Sequence, residues 1–377
     1  MWNNIIGQNK VRLFLKNILL NERIHNAYIF YGKNGVGKDA VALEFAKVLN
    51  CDNLDNEYEA CNKCKSCTDI QKFQSRYVKF ITALPSSKSE IKDDNVIGSL
   101  STEDYETYLS ELEKKSQNPY YKVNIPKANN IRIDSIRQMI KEAYMTVSET
   151  KKKVFIISDC DLMNQNTANS LLKILEEPPS NTLIILTTSR LNSLLPTIIG
   201  RCQLIRFETI CNEDIINYLR NQFNIIDDSE IKLLSSISQG SLGIFQDLDI
   251  ETFMKFRDNV INMLRNLITH KNISLAKSVS NIIETRDRNM AKLSLFIIIL
   301  WFKDVNSYNI RNENQIINKD LVENISLFGK KFNADVFKII NLVEDAIRDI
   351  DSNINLELLF YNLLLRIKSC IKINKSL

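Results

Sequence analysis

Histidine is scarce in this sequence: His25 and His270 are the only two in 377 residues. That count excludes a three-histidine metal centre and any mechanism needing several imidazoles. Nine glycines and six prolines are too few for a collagen-like or loop-dominated chain. Long hydrophobic runs are missing as well. A bilayer takes about 20 apolar residues, whereas the longest stretch here, Leu293–Phe302, is short and is interrupted by Ser294. It reads as a buried core helix, so no membrane partner is expected. The opening Met1-Trp2-Asn3-Asn4 has no basic region followed by an apolar core, and a cytoplasmic chain is expected. A strong charge bias is also absent. A net charge of +4 over this length does not by itself mark a nucleic-acid surface. What is present, 44% hydrophobic and 25% charged residues, is ordinary for globular chains and sufficient for two or three domains.

Four of the eight cysteines lie close together, Cys51, Cys61, Cys64 and Cys67, with spacing C-x9-C-x2-C-x2-C. In a reducing compartment such a cluster reads as metal-binding before it reads as disulfides. Two residues between cysteines let both sulfurs face one tetrahedral centre. Four thiolates leave no open position for water, so the expected ion is a structural Zn²⁺. Lys63 and Lys65 would offset part of the negative charge of a zinc-tetrathiolate. A redox pair or unrelated thiols are the alternatives. Cys160, Cys202, Cys211 and Cys370 are scattered and read as small buried apolar residues.

Apolar spacing predicts an amphipathic helix over 9–20, then a short strand at Ala27–Tyr31, a glycine-containing loop, and a helix over 40–49. Strand, loop and helix in that order open a nucleotide-binding βαβ unit. The stretch 84–126 differs in composition. It reads as a surface insertion with one short helix starting near Ser101, with Tyr105, Tyr108, Leu109 and Leu112 on one face. Residues 131–143 read as a helix with Asp134 as N-cap. Val154–Ile157 and Thr182–Leu186 are continuous apolar runs, as expected of strands covered on both faces of a parallel sheet, with a helix over 166–177 between them. Beyond about Phe207 the pattern is helical. The expected fold is an α/β P-loop core with a zinc module, followed by a largely helical half.

Gly32-Lys33-Asn34-Gly35-Val36-Gly37-Lys38-Asp39 fits the phosphate-loop pattern G-x-x-x-x-G-K-[ST] at every position but the last. Gly32, Gly35 and Gly37 let backbone N–H groups approach phosphate oxygens, and Lys38 reaches the β- and γ-phosphates. A hydroxyl normally holds Mg²⁺ at the last position. Asp39 instead sets a carboxylate beside a polyanion, at about 3 kcal/mol per like-charge pair for a 5 Å separation and an effective dielectric near 20. The strand that should end in adjacent acids runs Val154-Phe155-Ile156-Ile157-Ser158-Asp159-Cys160-Asp161, which puts Ser158 and Asp159 at the acidic pair. Phosphoryl transfer depends on positioning and metal charge. Two metal-side departures predict weakened or lost ATP binding and little hydrolysis.

The segment Ala168-Asn169-Ser170-Leu171-Leu172-Lys173-Ile174-Leu175-Glu176-Glu177-Pro178-Pro179 resembles a signature of bacterial DNA polymerase III clamp-loader subunits, the gamma/tau and delta-prime group. So do Ile6-Gly7-Gln8, His25–Phe30, the cysteine cluster placed after the first core helix, and Leu195-Pro196-Thr197-Ile198-Ile199-Gly200-Arg201-Cys202. The resemblance covers about 1–210, and more loosely 239–243 and 353–365. It implies an AAA+ core over 1–208, with the zinc module at 51–67 and the insertion at 84–126, a helical lid over 209–248, and an α-helical collar over 249–377. It also implies a hetero-pentamer with gamma/tau and delta subunits, which loads a sliding clamp onto primed DNA. Arg201 matches the arginine that reaches into the neighbouring subunit's ATP site, although Gly200 replaces the family serine. Gly243 stands where active members tend to carry arginine. The degenerate phosphate loop, the surviving Arg201 and the short length after the collar point to the delta-prime type. The 84–126 insertion and the Gln74–Val78 segment depart from the family. Two other functions compete: an active gamma/tau-like ATPase in which Asp39 and Asp159 manage Mg²⁺, and a zinc-containing DNA-binding module on a vestigial ATPase fold.

Overall fold

The computed structural model describes residues 2, 5–55, 57–86, 96–145, 151–223, 227–245, 250–283, 288–350 and 354–374. Their elements, in chain order, are α1 (Asn9–Leu20), β1 (Ala27–Tyr31), α2 (Lys38–Asn50), α3 (Lys65–Gln71), β2 (Val78–Ile81), α4 (Thr102–Gln117), α5 (Ile133–Tyr144), β3 (Lys153–Ile157), α6 (Gln165–Glu176), β4 (Thr182–Thr188), α7 (Pro196–Ile199) and β5 (Gln203–Arg206). Helices follow: α8 (Asn212–Phe223), α9 (Asp228–Ser238), α10 (Ile250–Ile268), α11 (Asn272–Ile283), α12 (Arg288–Asn309) and α13 (Val322–Lys331). The chain ends with β6 (Phe332–Ala334), α14 (Val336–Ile350), α15 (Leu356–Ser369) and β7 (Ile371–Ile373). The residues divide into two compact units, 1–215 with 240–246, and 216–239 with 247–377.

The first unit is built on a five-stranded sheet of order β2-β3-β4-β1-β5 with every pairing parallel. Side chains alternate across it. Ile29, Phe155, Ile157, Ile184 and Leu186 face α5, α6 and α7, where Ile136, Met139, Leu171, Ile174 and Ile198 complete one core. Each such side chain contributes roughly 1.5–3 kcal/mol when fully buried. Tyr28 and Phe30 point the other way, and the Tyr28 ring meets Phe45 of α2 edge-on at 6.1 Å. Burial on both faces explains why β3 and β4 read as unbroken apolar runs.

The 84–126 reading needs correction. Its helix is not short: α4 has 16 residues, capped by Ser101, whose Oγ accepts from the Asp104 N–H at 3.2 Å. Tyr108 and Leu112 are buried with Leu84, Val96 and Ile125 against Phe73 and Phe80, while Tyr105 and Leu109 remain exposed. The described residues of the segment therefore bury an apolar cluster of their own beside β2. Residues 87–95, within the same stretch, lie outside the described residues. A smaller correction concerns Asp134, which is not the N-cap of α5. Arg132 is the cap residue, and Asp134 sits in the first turn, where the helix dipole favours a carboxylate.

In the second unit the apolar run forms the buried stripe of α12, with Leu295, Ile298, Phe302 and Val305 inside, as its length predicts. Asp304 of the same helix is buried and accepts from the Ile317 N–H, the Asn318 N–H and the Asn318 side-chain amide at 2.9, 2.9 and 2.6 Å. It thereby ties down the turn after α12. Replacing Asp304 with alanine orphans those donors and is expected to cost about 3 kcal/mol, read as a lower denaturation midpoint. The short antiparallel pair β6–β7 was not foreseen. Three residues per strand, mostly at the surface, give too little alternation to detect.

Candidate functional site: a phosphate loop filled by its own chain

The loop between β1 and α2 leaves the carboxyl end of a strand inside the sheet, where parallel α/β folds bind ligands. Gly35 and Gly37 adopt φ values of +72° and +95°. The space beside both is taken. A Cβ on Gly35 would stand 2.1 Å from Ser241 Oγ, and one on Gly37 would stand 2.7 Å from Tyr120 Cε1. The Leu242 N–H donates to the Gly35 carbonyl at 2.9 Å. Lys38 is buried, and its ammonium donates to the Gly32 and Lys33 carbonyls at 2.9 and 2.8 Å. Burial pushes this ammonium below its usual value, against the pull of Asp39 and Asp159. The Gln8 amide, near the start of the chain, donates to the Val36 and Glu208 carbonyls at 3.1 and 2.7 Å and braces the loop from outside.

Asp39 lies in the first turn of α2 and is held by three side chains. Ser158 Oγ donates to its Oδ2 at 2.8 Å and Thr187 Oγ1 to its Oδ1 at 2.7 Å. Lys115 Nζ from α4 reaches Oδ2 at 3.1 Å and also donates to the Tyr121 carbonyl at 2.6 Å. The Lys115 side chain is 1% exposed, so its hydrogen bond to Asp39 is also an ion pair shielded from solvent. Burial works against the Asp39 charge, but Lys115 and the two hydroxyls outweigh it and hold the carboxyl below its ordinary value. A depressed carboxylate stabilises the fold above the unfolded value of 3.8 and loses that contribution as pH falls through the lower folded value. Asp39→Asn is therefore expected to lower stability at neutral pH and to flatten the acid side of the stability profile below about pH 4, measured by denaturation across pH.

The two residues at the acidic-pair positions take separate roles. Ser158, at the end of β3, turns into the Asp39 cluster. Asp159, in left-handed conformation, pairs with Lys122 at 2.8 Å, and its N–H donates to Thr187 Oγ1 at 3.3 Å. Asp161 is bound elsewhere, by Thr188 Oγ1 at 2.7 Å and Arg190 at 2.8 Å. The fold thus sets Asp39, Ser158 and Asp159 near Lys38, and adds Lys115, Tyr120, Lys122 and Thr187. Thr187 had a detectable signal: two threonines in succession close β4 after its apolar run Leu183–Leu186. The insertion residues had none, because nothing in their spacing ties them to a loop some 80 positions upstream.

Arg201, just beyond α7, takes no part in these contacts. Its guanidinium is about one-third exposed, donates to the Thr197 carbonyl at 2.8 Å and pairs with Glu176 at 2.5 Å.

The cysteine cluster forms as predicted. The sulfurs of Cys51, Cys61, Cys64 and Cys67 all lie within 4.8 Å of one another, with no disulfide among them. Four bonds of about 2.3 Å to one tetrahedral ion need sulfurs roughly 3.8 Å apart, and Cys51 and Cys64 already stand at 4.0 Å. Among the described residues this is the one group of three or more His, Cys, Asp or Glu side chains that closes on a metal position. Backbone N–H groups of Cys61, Cys64 and Cys67 point at the sulfurs of Cys51, Cys61 and Cys64 at 3.3 to 3.4 Å. N–H groups of Lys63 and Cys64 bring the Cys61 thiol down to about 6, whereas burial pushes Cys67 up. The site is thus capable of coordinating a structural Zn²⁺, whose charge offsets the cost of a thiolate at Cys67. Lys47 of α2 bridges Glu44 at 3.3 Å and Asn62 at 3.0 Å, fastening this loop to the core. Of the scattered cysteines, Cys160 and Cys370 are buried and Cys202 partly so, but Cys211 is exposed, contrary to expectation. It immediately precedes α8, outside the sheet core.

Comparison with known proteins places this architecture. The family described as DNA polymerase III, delta subunit matches residues 7–211, and that described as DNA polymerase III, delta subunit, C terminal matches 251–369. The chain is 26% identical over 363 residues to DNA polymerase III subunit delta' of Bacillus subtilis (strain 168), covering 96% of both chains. It is 26% identical over 321 residues to the gamma subunit of Buchnera aphidicola subsp. Baizongia pistaciae, covering 84% of this chain and 73% of that one. The chain belongs to the bacterial DNA polymerase III clamp-loader subunit family. No helix among the described residues is long and apolar enough to cross a membrane.

Proposed function

We propose that the chain acts as a delta-prime-like member of a hetero-pentameric clamp loader with gamma/tau and delta subunits, helping to place a sliding clamp on primed DNA. It does so without turning over ATP itself, and it supplies Arg201 in trans to a neighbouring ATPase. The observation that carries the reading is the Asp39 cluster. The side chain that should bind magnesium is a partly buried carboxylate already satisfied by Lys115, Ser158 and Thr187. The match to a delta' subunit along 96% of both chains supports it. Arg201 suits its role because a guanidinium is always charged and can stabilise charge on a transferring phosphoryl group. Its hold on Glu176 is an exposed ion pair, worth about 1 kcal/mol or less, and yields readily to a better anion.

Reconstitution tests this. Mixed with gamma/tau- and delta-class subunits, the chain is expected to co-purify in one complex and to be required for clamp loading on primed DNA. Failure to join that complex would refute the reading. The competing DNA-binding function predicts tight binding of primed DNA by the isolated chain, with a steep salt dependence. The proposed function predicts that such binding is weak.

A further inference from the structure

We propose that Lys115 and Tyr120 are specificity-determining residues, an internal plug that excludes Mg²⁺-nucleotide from this phosphate loop. The inference rests on the reading of a non-hydrolysing subunit and deepens it. Read as sequence, the barrier to nucleotide lies in Asp39, a negative charge set against a polyphosphate. The structure moves the barrier. The Asp39 charge is already met by a lysine ammonium and two hydroxyls, so little of it is left to repel a phosphate. What opposes a ligand is occupation. Lys115 Nζ stands against the residue that follows the loop lysine, the side on which hydrolysing loops hold their metal through a hydroxyl. The Tyr120 ring lies over Gly37, whose N–H would otherwise face a phosphate.

The plug is itself held in place. The Tyr120 hydroxyl accepts from the Ile6 N–H at 2.6 Å, and the Tyr120 N–H donates to Asn118 Oδ1 at 3.0 Å. Tyr121 OH donates to Glu111 of α4 at 2.9 Å, which positions the carbonyl that receives Lys115. The Lys115 ammonium also lies 5.2 Å from the centre of the Phe80 ring, on the edge strand β2. A nucleotide entering the loop must move Tyr120, and its metal must displace Lys115, leaving that buried ammonium without its carboxylate beside an incoming cation. The 84–126 insertion thus has a chemical task at the loop.

Binding of Mg²⁺-ATP tests this on the full chain, with the wild type compared to Asp39→Thr, Asp39→Thr/Lys115→Met, and that pair with Tyr120→Ala. The paired change removes both charges together and leaves no buried ion unpartnered. The wild type and Asp39→Thr are expected to show no saturable binding. The triple variant should bind at least about a hundredfold more tightly than Asp39→Thr alone, with zinc content and circular dichroism reporting its fold. A full gain from Asp39→Thr alone, no gain in a folded triple variant, or binding without turnover by the wild type would each overturn the plug. None of these removes the proposed function. Lys38-dependent ATP turnover by the wild type would instead overturn the function on which the plug rests. Acetic anhydride labelling of the wild type supplies an independent check that needs no variant. Lys115 is expected to stay unmodified while Lys10, exposed at the surface, reacts. Labelling of Lys115 at the rate of Lys10 contradicts the plug.

Discussion

Replacing Arg201 with alanine in the reconstituted assembly is expected to slow ATP hydrolysis at the adjoining subunit's site by about 10³-fold or more, the range reported for arginine fingers supplied in trans. That corresponds to about 4 kcal/mol of lost transition-state stabilisation. The assembly itself should still form. In the free chain Arg201 makes one hydrogen bond to a carbonyl and one pair with the half-exposed Glu176, so its removal should change stability by no more than about 1 kcal/mol. Arg201→Lys keeps the charge but loses the planar fork, and an intermediate rate is expected. The measurement is single-turnover hydrolysis in the complex together with clamp loading. Unchanged rates in an intact complex would remove the role assigned to Arg201.

A comparably large effect, on stability, is expected at the zinc module. Cys64 lies at the centre of the cluster. Its sulfur is 4.0 Å from that of Cys51, and it receives the Cys67 N–H at 3.4 Å as the cap of α3. Cys64→Ser removes one of four ligands and should release the metal. Binding free energy at structural zinc sites is folding free energy. Here the loop is also anchored through Lys47 and by the buried Cys67 and Ile70 of α3, so the loss is a part of the whole. About 3 kcal/mol or more of destabilisation of the α/β unit is expected, with metal content falling to background. Elemental analysis and chemical denaturation read both. Absence of zinc from freshly purified wild-type protein would contradict the site.

Much of the α/β unit was legible in the sequence, because buried parallel strands and amphipathic helices leave strong periodic traces. Ala27–Tyr31, Val154–Ile157 and Thr182–Leu186 were all found as strands, and the phosphate loop and the four cysteines were found by spacing. Three features were not legible. The length and burial of α4 were underestimated because its helical face carries two exposed apolar residues, Tyr105 and Leu109, beside the buried Tyr108 and Leu112. The Asp39–Lys115 pair joins residues 76 positions apart and has no local signal at all. The seating of Ser241 and Leu242 on Gly35 belongs to the same class, since it follows from where the chain returns after α9. The departure of Asp39 from the phosphate-loop pattern was visible, but the partners of its carboxylate, Lys115, Ser158 and Thr187, were not, because they come from distant parts of the chain.

The central claim is that this phosphate loop has given up magnesium-nucleotide chemistry of its own. Steady-state ATP turnover by the purified chain, compared with its Lys38→Ala variant, tests it most directly. Equal, background rates for the two proteins are predicted. Turnover by the wild type that disappears on replacing Lys38 would contradict the account.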